Sequence, residues 1–484
     1  GTSILALTRK KLPSSSQLSE LPDLERLSIE PASPIQNTVI LSKKQEAALE
    51  AFLAGDNVFI TGPGGTGKSA LIKKVFQAAE ARGSRVQACA MTGCAAVLLG
   101  SSKARTLHSW AGIGLGTAAG GPEAIIEKVR RDRYKSQAWR ETDVLILDEV
   151  SMLSRKLFEI LDQLGRVTRR NIMKPFGGMQ LFFSGDFYQL PPVTDESSAN
   201  DFCFESGRWS STFTKTFVFD QIFRQNDARY IKILNQIRRG RLSRRSYDLL
   251  KDRLNRSIPA EKSHIRPTIL TPRRTEANSI NRDKLDILLQ SGAKSKTFRL
   301  ERVTRNQKGE QTESHPSFVA QEHKALEKAI RADSNLKLAV GAQVMCVVNI
   351  ANHHSSDQPP IVNGSQGVVQ CFSASGNPVV DFGSTTREIA PHAWCSHVDE
   401  AVGVKQIPLI LAWAITIHKA QGLSLELAQI DAGSGVFECG QTYVALSRVK
   451  NLDGLFLSGL DPAKITVNKR VKAYYDSLAE GESS

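Results

Sequence analysis

The chain contains no two cysteines at the two-residue spacing of a zinc knuckle or a redox pair. Its seven cysteines (Cys89, Cys94, Cys203, Cys346, Cys371, Cys395 and Cys439) are odd in number and scattered. Neither a disulfide framework nor a zinc site is supported. Most of the seven lie in apolar or strand-like segments, where a free thiol acts as a small buried hydrophobe, which fits an intracellular reducing compartment. His353-His354 stands in a polar stretch without spaced ligand partners and reads as solvent-facing loop. Long hydrophobic runs are also missing. The longest lies around Leu409 to Ile417, far short of the ~18 residues of a membrane span, and reads as a buried strand, so no membrane partner is expected. The start lacks the charged and apolar regions of a secretory leader, and Gly1-Thr2 suggests a cloning remnant with the natural start upstream. No repeat at solenoid spacing is visible. Acidic residues are in the minority, 49 against 63 Lys and Arg, for a formal charge of +14. That surplus favours a polyanionic partner, the bland alternative being a basic surface kept for solubility.

What is present is the composition of a globular protein, 41% hydrophobic and 23% charged over 484 residues. At about 150 residues per domain the length suggests roughly three units. Residues 1–38, rich in Ser, Pro and charge, read as a flexible arm or linker.

Gly62-Pro63-Gly64-Gly65-Thr66-Gly67-Lys68-Ser69 has the form G-x-x-x-x-G-K-[ST] of a phosphate-binding loop. The glycines let successive N–H groups point into one concavity. Lys68 supplies charge for the β- and γ-phosphates of a nucleoside triphosphate, and the Ser69 hydroxyl a ligand for Mg²⁺. Val58-Phe59-Ile60 before it reads as a strand, and Leu71, Ile72, Val75, Phe76 and Ala79 after it recur at helical spacing. From Leu41 to about Pro192 strand and helix alternate. Val144 to Leu147 ends in Asp148-Glu149; Leu153, Leu157, Ile160, Leu161 and Leu164 mark one helix face; Met179 to Phe183 is another strand. A second alternating region starts near Phe217 and takes in Thr268 to Leu270, a helix over Thr275 to Leu289, Leu409 to Leu411, Ala428 to Ile430 and Leu455 to Leu457. Between Thr297 and about Val404 short β-like runs separated by turn residues predict a small inserted β-barrel, and 112–141 is a smaller, glycine-rich then basic-helical insertion. The fold class is therefore α/β. The expected boundaries are 39–205 for the first α/β domain, 206–296 and 405–484 for the two parts of the second, and 297–404 for the barrel.

Asp148 at the end of a buried strand can hold the Mg²⁺ shell while Glu149 deprotonates an attacking water. Gln189, in Gly185-Asp186-Phe187-Tyr188-Gln189-Leu190-Pro191-Pro192, can report on the γ-phosphate, although a capped loop with a Pro-Pro stop explains the same residues. Arg224 and Arg448 could each cross a cleft to the γ-phosphate, yet either taken singly is more often a surface salt-bridge residue. The run Arg238-Arg239-Gly240-Arg241 reads as a solvated helix face. A track for single-stranded nucleic acid needs hydroxyls, cations and flat faces. Thr92, Thr106, Ser109 and Thr416 supply the first, Lys419 the second, and His108, Tyr188 and His418 the third, whereas Trp110, among small and apolar neighbours, reads as core.

In order along the chain, Leu41 to Gln45, Gly62 to Ser69, Met91 to Ala96, Thr106 to Gly114, Asp148 to Met152, Gly185 to Pro192, Phe223 to Gln225, Thr416 to Gly422 and Val444 to Val449 resemble the motifs of a superfamily-one helicase of the B class, with RecD-like relatives. Lys174 to Leu181 resembles the signature of the petite integration frequency helicases. The resemblance covers about residues 41 to 457. It implies an ATP-dependent DNA helicase moving five-prime to three-prime on single-stranded DNA, with two RecA-like domains around one ATP and a barrel similar to Src-homology-3 domains. By the same resemblance Gln45 reads the adenine edge and Gly62, Gly64, Gly65, Thr66, Gly67, Lys68 and Ser69 hold phosphates and Mg²⁺. Gln189, Arg224, Gln421 and Arg448 face the γ-phosphate. Thr92, Gly93, Thr106, His108, His418 and Lys419 line the DNA track, and 112–141 is the strand-separating wedge. Met91 and Ser101-Ser102-Lys103 depart from the family pattern, which commonly has Ser and Gly-Gly there. Expected partners are single-stranded and forked or tailed duplex DNA, with a G-quadruplex or an RNA–DNA hybrid as further options. The expected state is a monomer working in genome maintenance, in the nucleus or mitochondrion of a eukaryote or the cytoplasm of a bacterium. An ATP-gated clamp without unwinding, and a small-molecule kinase, are the competing classes.

Overall fold

The computed structural model describes residues 41–484 apart from 93–94, 97–98, 100–103, 114–120, 193–200, 224–226, 258–264, 307, 351–359, 397–398, 400, 437–438 and 482–484. The expected arm, Gly93, Arg224, Ser101 to Lys103 and His353-His354 thus lie outside the described residues.

Six strands form a parallel sheet: β1 Val58–Thr61, β2 Val86–Ala90, β3 Arg105–Thr106, β4 Val144–Asp148, β5 Gln180–Gly185 and β6 Lys215–Val218, in the order β3-β2-β4-β5-β1-β6. The central strands are near-continuous apolar runs because helices cover both faces. Val58 and Ile60 pack with Phe52, Leu71, Val75 and Ala79 on one side. Phe59, one step out of phase, packs on the other with Phe158, Leu161 and Leu164. The helix carrying these last three spans Arg155–Thr168, capped by Ser154, whose hydroxyl accepts from the Leu157 N–H, so Leu153 precedes the helix. The signature segment packs against it. A Cβ on Gly165 would lie 2.7 Å from the Phe176 backbone, and the Phe176 N–H donates to buried Asp162 at 2.8 Å. The first insertion contains helices Gly121–Arg131 and Arg133–Glu141, and Trp110 is core as expected, its ring 4.5 Å from that of Trp139.

A second parallel sheet comprises Ala414–Thr416, Thr268–Thr271, Ala428–Ala432 and Leu455–Leu460 in that spatial order. Its core takes Tyr230, Ile233, Leu234 and Ile237 from helix Ala228–Arg238. Between its strands is inserted a β module of five-, three- and two-stranded antiparallel sheets around Leu338, Val344, Val369 and Val380.

Three boundaries differ from expectation. Lys215–Val218 pairs in parallel with β1, completing the first sheet beyond residue 205, because the β1 edge would otherwise leave backbone groups unpaired. Leu409–Leu411 pairs with Gln343–Cys346 and belongs to the β module. The C-terminal helix Lys469–Gly481 returns to the first domain, where Val471, Tyr474 and Tyr475 join the aromatic core around Phe187 and Trp209.

Candidate nucleotide and nucleic-acid site

The phosphate loop joins β1 to helix Lys68–Ala81. Gly62 sits at φ 151°, and a Cβ there would meet the Phe219 carbonyl oxygen at 2.4 Å, so only glycine fits. Lys68 Nζ donates to the carbonyls of Gly62 (2.7 Å) and Pro63 (2.9 Å), and the Thr66 hydroxyl donates to Pro63 at 2.9 Å. Burial pulls the Lys68 pKa down, opposed by Asp186, Asp148 and Glu149. Ser69 is exposed at the start of the helix. Gln45 is fixed to this loop. Its Oε1 accepts from the Ser42 N–H in a capping box and its Nε2 donates to the Thr66 carbonyl at 3.1 Å.

Asp148 and Glu149 stand at the carboxyl end of β4. Glu149 takes the left-handed conformation, φ 62° and ψ 38°, which costs a non-glycine residue about 1–3 kcal/mol and is typical of functional positions. Its N–H donates to Asp148 at 2.9 Å. Burial first, and the Asp148 charge second, push the Glu149 carboxyl up to about 7, against the pull of Arg448 and Gln421. Burial likewise raises Asp148.

Residues from the second domain complete the site. Gln421 Nε2 donates to Glu149 at 2.5 Å and lies 3.4 Å from Gln189 Oε1, bringing three expected residues together. Arg448 is 2% exposed. Its Nε donates to the Val444 carbonyl and its Nη2 to the Ser447 hydroxyl, and a Cβ on Gly64 would lie 3.4 Å from that Nη2. The guanidinium therefore rests against the loop. Phe223, next to Arg224 in the chain, donates its N–H to the Gly65 carbonyl at 2.7 Å. Among the described residues no cluster of three or more His, Cys, Asp or Glu could hold a metal. A serine hydroxyl and an aspartate carboxylate, Ser69 and Asp148, are oxygen donors of the kind that Mg²⁺ accepts beside phosphates and water.

The described residues expected on the DNA track stand where the strands of both sheets end. Thr92, Thr106 and Thr416 accept from the N–H groups of Ala95, Ser109 and Lys419, the last two threonines as N-caps of short helices, each hydroxyl keeping its own proton to donate. Ser109 is exposed. His108 and His418 are half-buried, and burial lowers both pKa values, leaving flat neutral rings. Thr416 and Lys419 line a cleft of about 330 Å³ with Arg274, Asn278, Arg282 and Lys337. Tyr188 is a correction. Its ring is buried, stacked on Tyr475 at 4.7 Å and under Arg238 at 4.5 Å, and presents no open face to a base. Arg238 is another, being a buried ion-pair partner of Asp186 instead of a solvated residue. Sequence reasoning also missed Tyr443, whose hydroxyl accepts from the Gly64 N–H at 3.0 Å. Its only signal was its place within the stretch that carries Arg448.

The PIF1-like helicase family profile matches residues 40–247. The "ATP-dependent DNA helicase PIF1" of Xenopus laevis is 35% identical over 475 residues, 97% of this chain and 69% of that protein. The chain belongs to the PIF1-like helicase family. The Pif1 helicase structure from Candida albicans superposes with a TM-score of 0.69 at 34% identity, covering 91% of this chain and all of that one. Pif1 from Bacteroides, at 26% identity, superposes with a TM-score of 0.71 in complex with ADP-AlF4 and 0.60 bound to single-stranded DNA; each covers 92% of this chain and 98% of that one. As a PIF1-like helicase the chain has the two RecA-like domains of these neighbours. Among its described residues no helix is long and apolar enough to cross a membrane.

Proposed function

We propose that this chain is an ATP-driven motor that moves five-prime to three-prime on single-stranded DNA and opens forked or tailed duplexes, acting in genome maintenance. One observation carries the reading. The glutamate fit to activate water belongs to the first domain, while the amide that holds it, Gln421, belongs to the second, together with Arg448 and Tyr443 at the phosphate loop. A nucleotide site built from both domains makes their closure depend on what occupies it, and alternating grips of the two strand ends on DNA convert closure into steps.

In this reading Lys68 and the loop N–H groups bind the β- and γ-phosphates and Glu149 takes the proton of the attacking water. Gln189 and Gln421 orient that water and the carboxylate, and Arg448 and Arg224 stabilise charge on the transferring phosphoryl. Ser69 and Asp148 would hold Mg²⁺, which supplies charge neutralisation at the phosphates. Thr92, Gly93, Thr106, His108, Ser109, Thr416, His418 and Lys419 contact the strand, and 112–141 divides the duplex. The working unit is a monomer, and G-quadruplexes or RNA–DNA hybrids are further substrates to compare. ATP hydrolysis measured with and without single-stranded DNA, beside strand displacement on tailed duplexes, tests the proposal. DNA-stimulated hydrolysis with no displaced strand would leave a clamp, and hydrolysis indifferent to DNA a small-molecule kinase.

A further inference from the structure

Asp186 leaves the first sheet beside the phosphate loop. Thr61 pairs with Gly185, so the next residues of the two strands, Gly62 and Asp186, emerge side by side. The Asp186 carboxylate is buried, and both of its oxygens are taken by a cation from the other domain. Arg238, the last residue of helix Ala228–Arg238, donates Nε to Oδ2 and Nη2 to Oδ1, each at 2.9 Å. The guanidinium lies 4.5 Å from the Tyr188 ring and 5.3 Å from the Tyr475 ring, which are themselves stacked. The Tyr475 hydroxyl closes the cluster, donating to Asp186 at 3.3 Å, accepting from the Phe187 N–H at 3.1 Å and lying 2.5 Å from the Thr61 hydroxyl. Tyr230, Ile233 and Ile237 root the Arg238 helix in the second core, whereas Phe187 and Tyr188 belong to the first. The pair therefore joins the two domains beneath the nucleotide site. Among the carboxylates acting on Lys68, Asp186 is the strongest, and Arg238 opposes it.

We propose that Arg238 is a positioning residue for ATP turnover: by taking both oxygens of Asp186 from across the cleft, it cancels a negative charge beside the phosphate loop only while the domains are together. Triphosphate binding and domain closure then favour each other through one buried charge. The inference rests on the reading of this loop as an ATP site.

The test compares KM and kcat for ATP, at saturating single-stranded DNA, in wild type, R238Q, D186N and the D186N/R238Q double variant, each checked for folding by thermal melt. R238Q leaves an uncompensated carboxylate facing a polyanion and is expected to raise KM by about tenfold or more. D186N removes negative charge and is expected not to raise KM. The double variant, neutral at both positions, is expected to return to within about threefold of wild type. A purely structural pair gives the opposite pattern, with both single variants equally impaired and no rescue, and that result overturns the inference. Where R238Q does not fold, D186N decides by itself, since a tenfold rise of KM in folded D186N contradicts the charge argument. Failure of the wild type to hydrolyse ATP at all would instead overturn the functional reading on which this rests.

Discussion

Replacing Arg448 by alanine removes the guanidinium that rests against Gly64, together with its hydrogen bonds to the Val444 carbonyl and the Ser447 hydroxyl, the carbonyl still accepting from that hydroxyl at 3.0 Å. The two consequences have different sizes. A guanidinium on a transferring phosphoryl group is worth about 10³ to 10⁵ in rate, or roughly 4 to 7 kcal/mol. The lost hydrogen bonds in a buried site cost about 2 kcal/mol of stability, a fall of about 4–8 °C in Tm for a domain of this size. Arg448→Ala should therefore remain folded at room temperature, bind a fluorescent ADP analogue with nearly unchanged affinity, and lose at least about a thousandfold in kcat for DNA-stimulated hydrolysis. Arg448→Lys keeps the charge but not the planar fork, so it should recover part of the melting temperature while recovering little of the rate. A folded Arg448→Ala protein whose kcat stays within about tenfold of wild type would refute the assignment.

Lys68→Ala should abolish ATP turnover while leaving affinity for single-stranded DNA largely intact in an anisotropy titration; near-normal turnover contradicts the phosphate-loop reading. Gly62→Ala pushes a methyl group into the Phe219 carbonyl at a backbone angle that disfavours any side chain, costing about 1–3 kcal/mol. It should abolish the thermal stabilisation that nucleotide confers, and an unchanged nucleotide shift would show that the loop relaxes freely. DNA affinity should fall steeply with salt, and Lys419→Ala should flatten the log–log slope by about 0.7 if this ammonium neutralises one phosphate of a single strand. An unaltered slope removes Lys419 from the track.

Local pattern carried much of this site. The phosphate loop needs its glycines at fixed offsets, and Asp148-Glu149 needs four apolar residues before it, so both are written in contiguous sequence. Trp110 was legible as core for the same reason. What escaped depends on segments far apart in the chain. Nothing local in Lys215–Val218 says that it will complete the first sheet beside β1, and nothing in Lys469–Gly481 says that Tyr475 will reach Thr61. Tyr188 presents the flat polar-tipped ring of a base-stacking residue, and Tyr475 of that returning helix together with Arg238 covers it. Arg238 lies in a run of arginines whose charge reads as solvated surface, and its partner Asp186 is 52 residues away. Glu149 was legible as an acid, but its backbone strain and its Gln421 partner, 272 residues distant, were not.

Strand displacement tests the motor most directly. A labelled duplex with a five-prime single-stranded tail is incubated with the protein, ATP and Mg²⁺, beside the same duplex with a three-prime tail. Release of the labelled strand from the five-prime-tailed duplex alone, lost in Lys68→Ala, is the expected result. ATP hydrolysis that rises with single-stranded DNA while neither duplex releases its strand would contradict it.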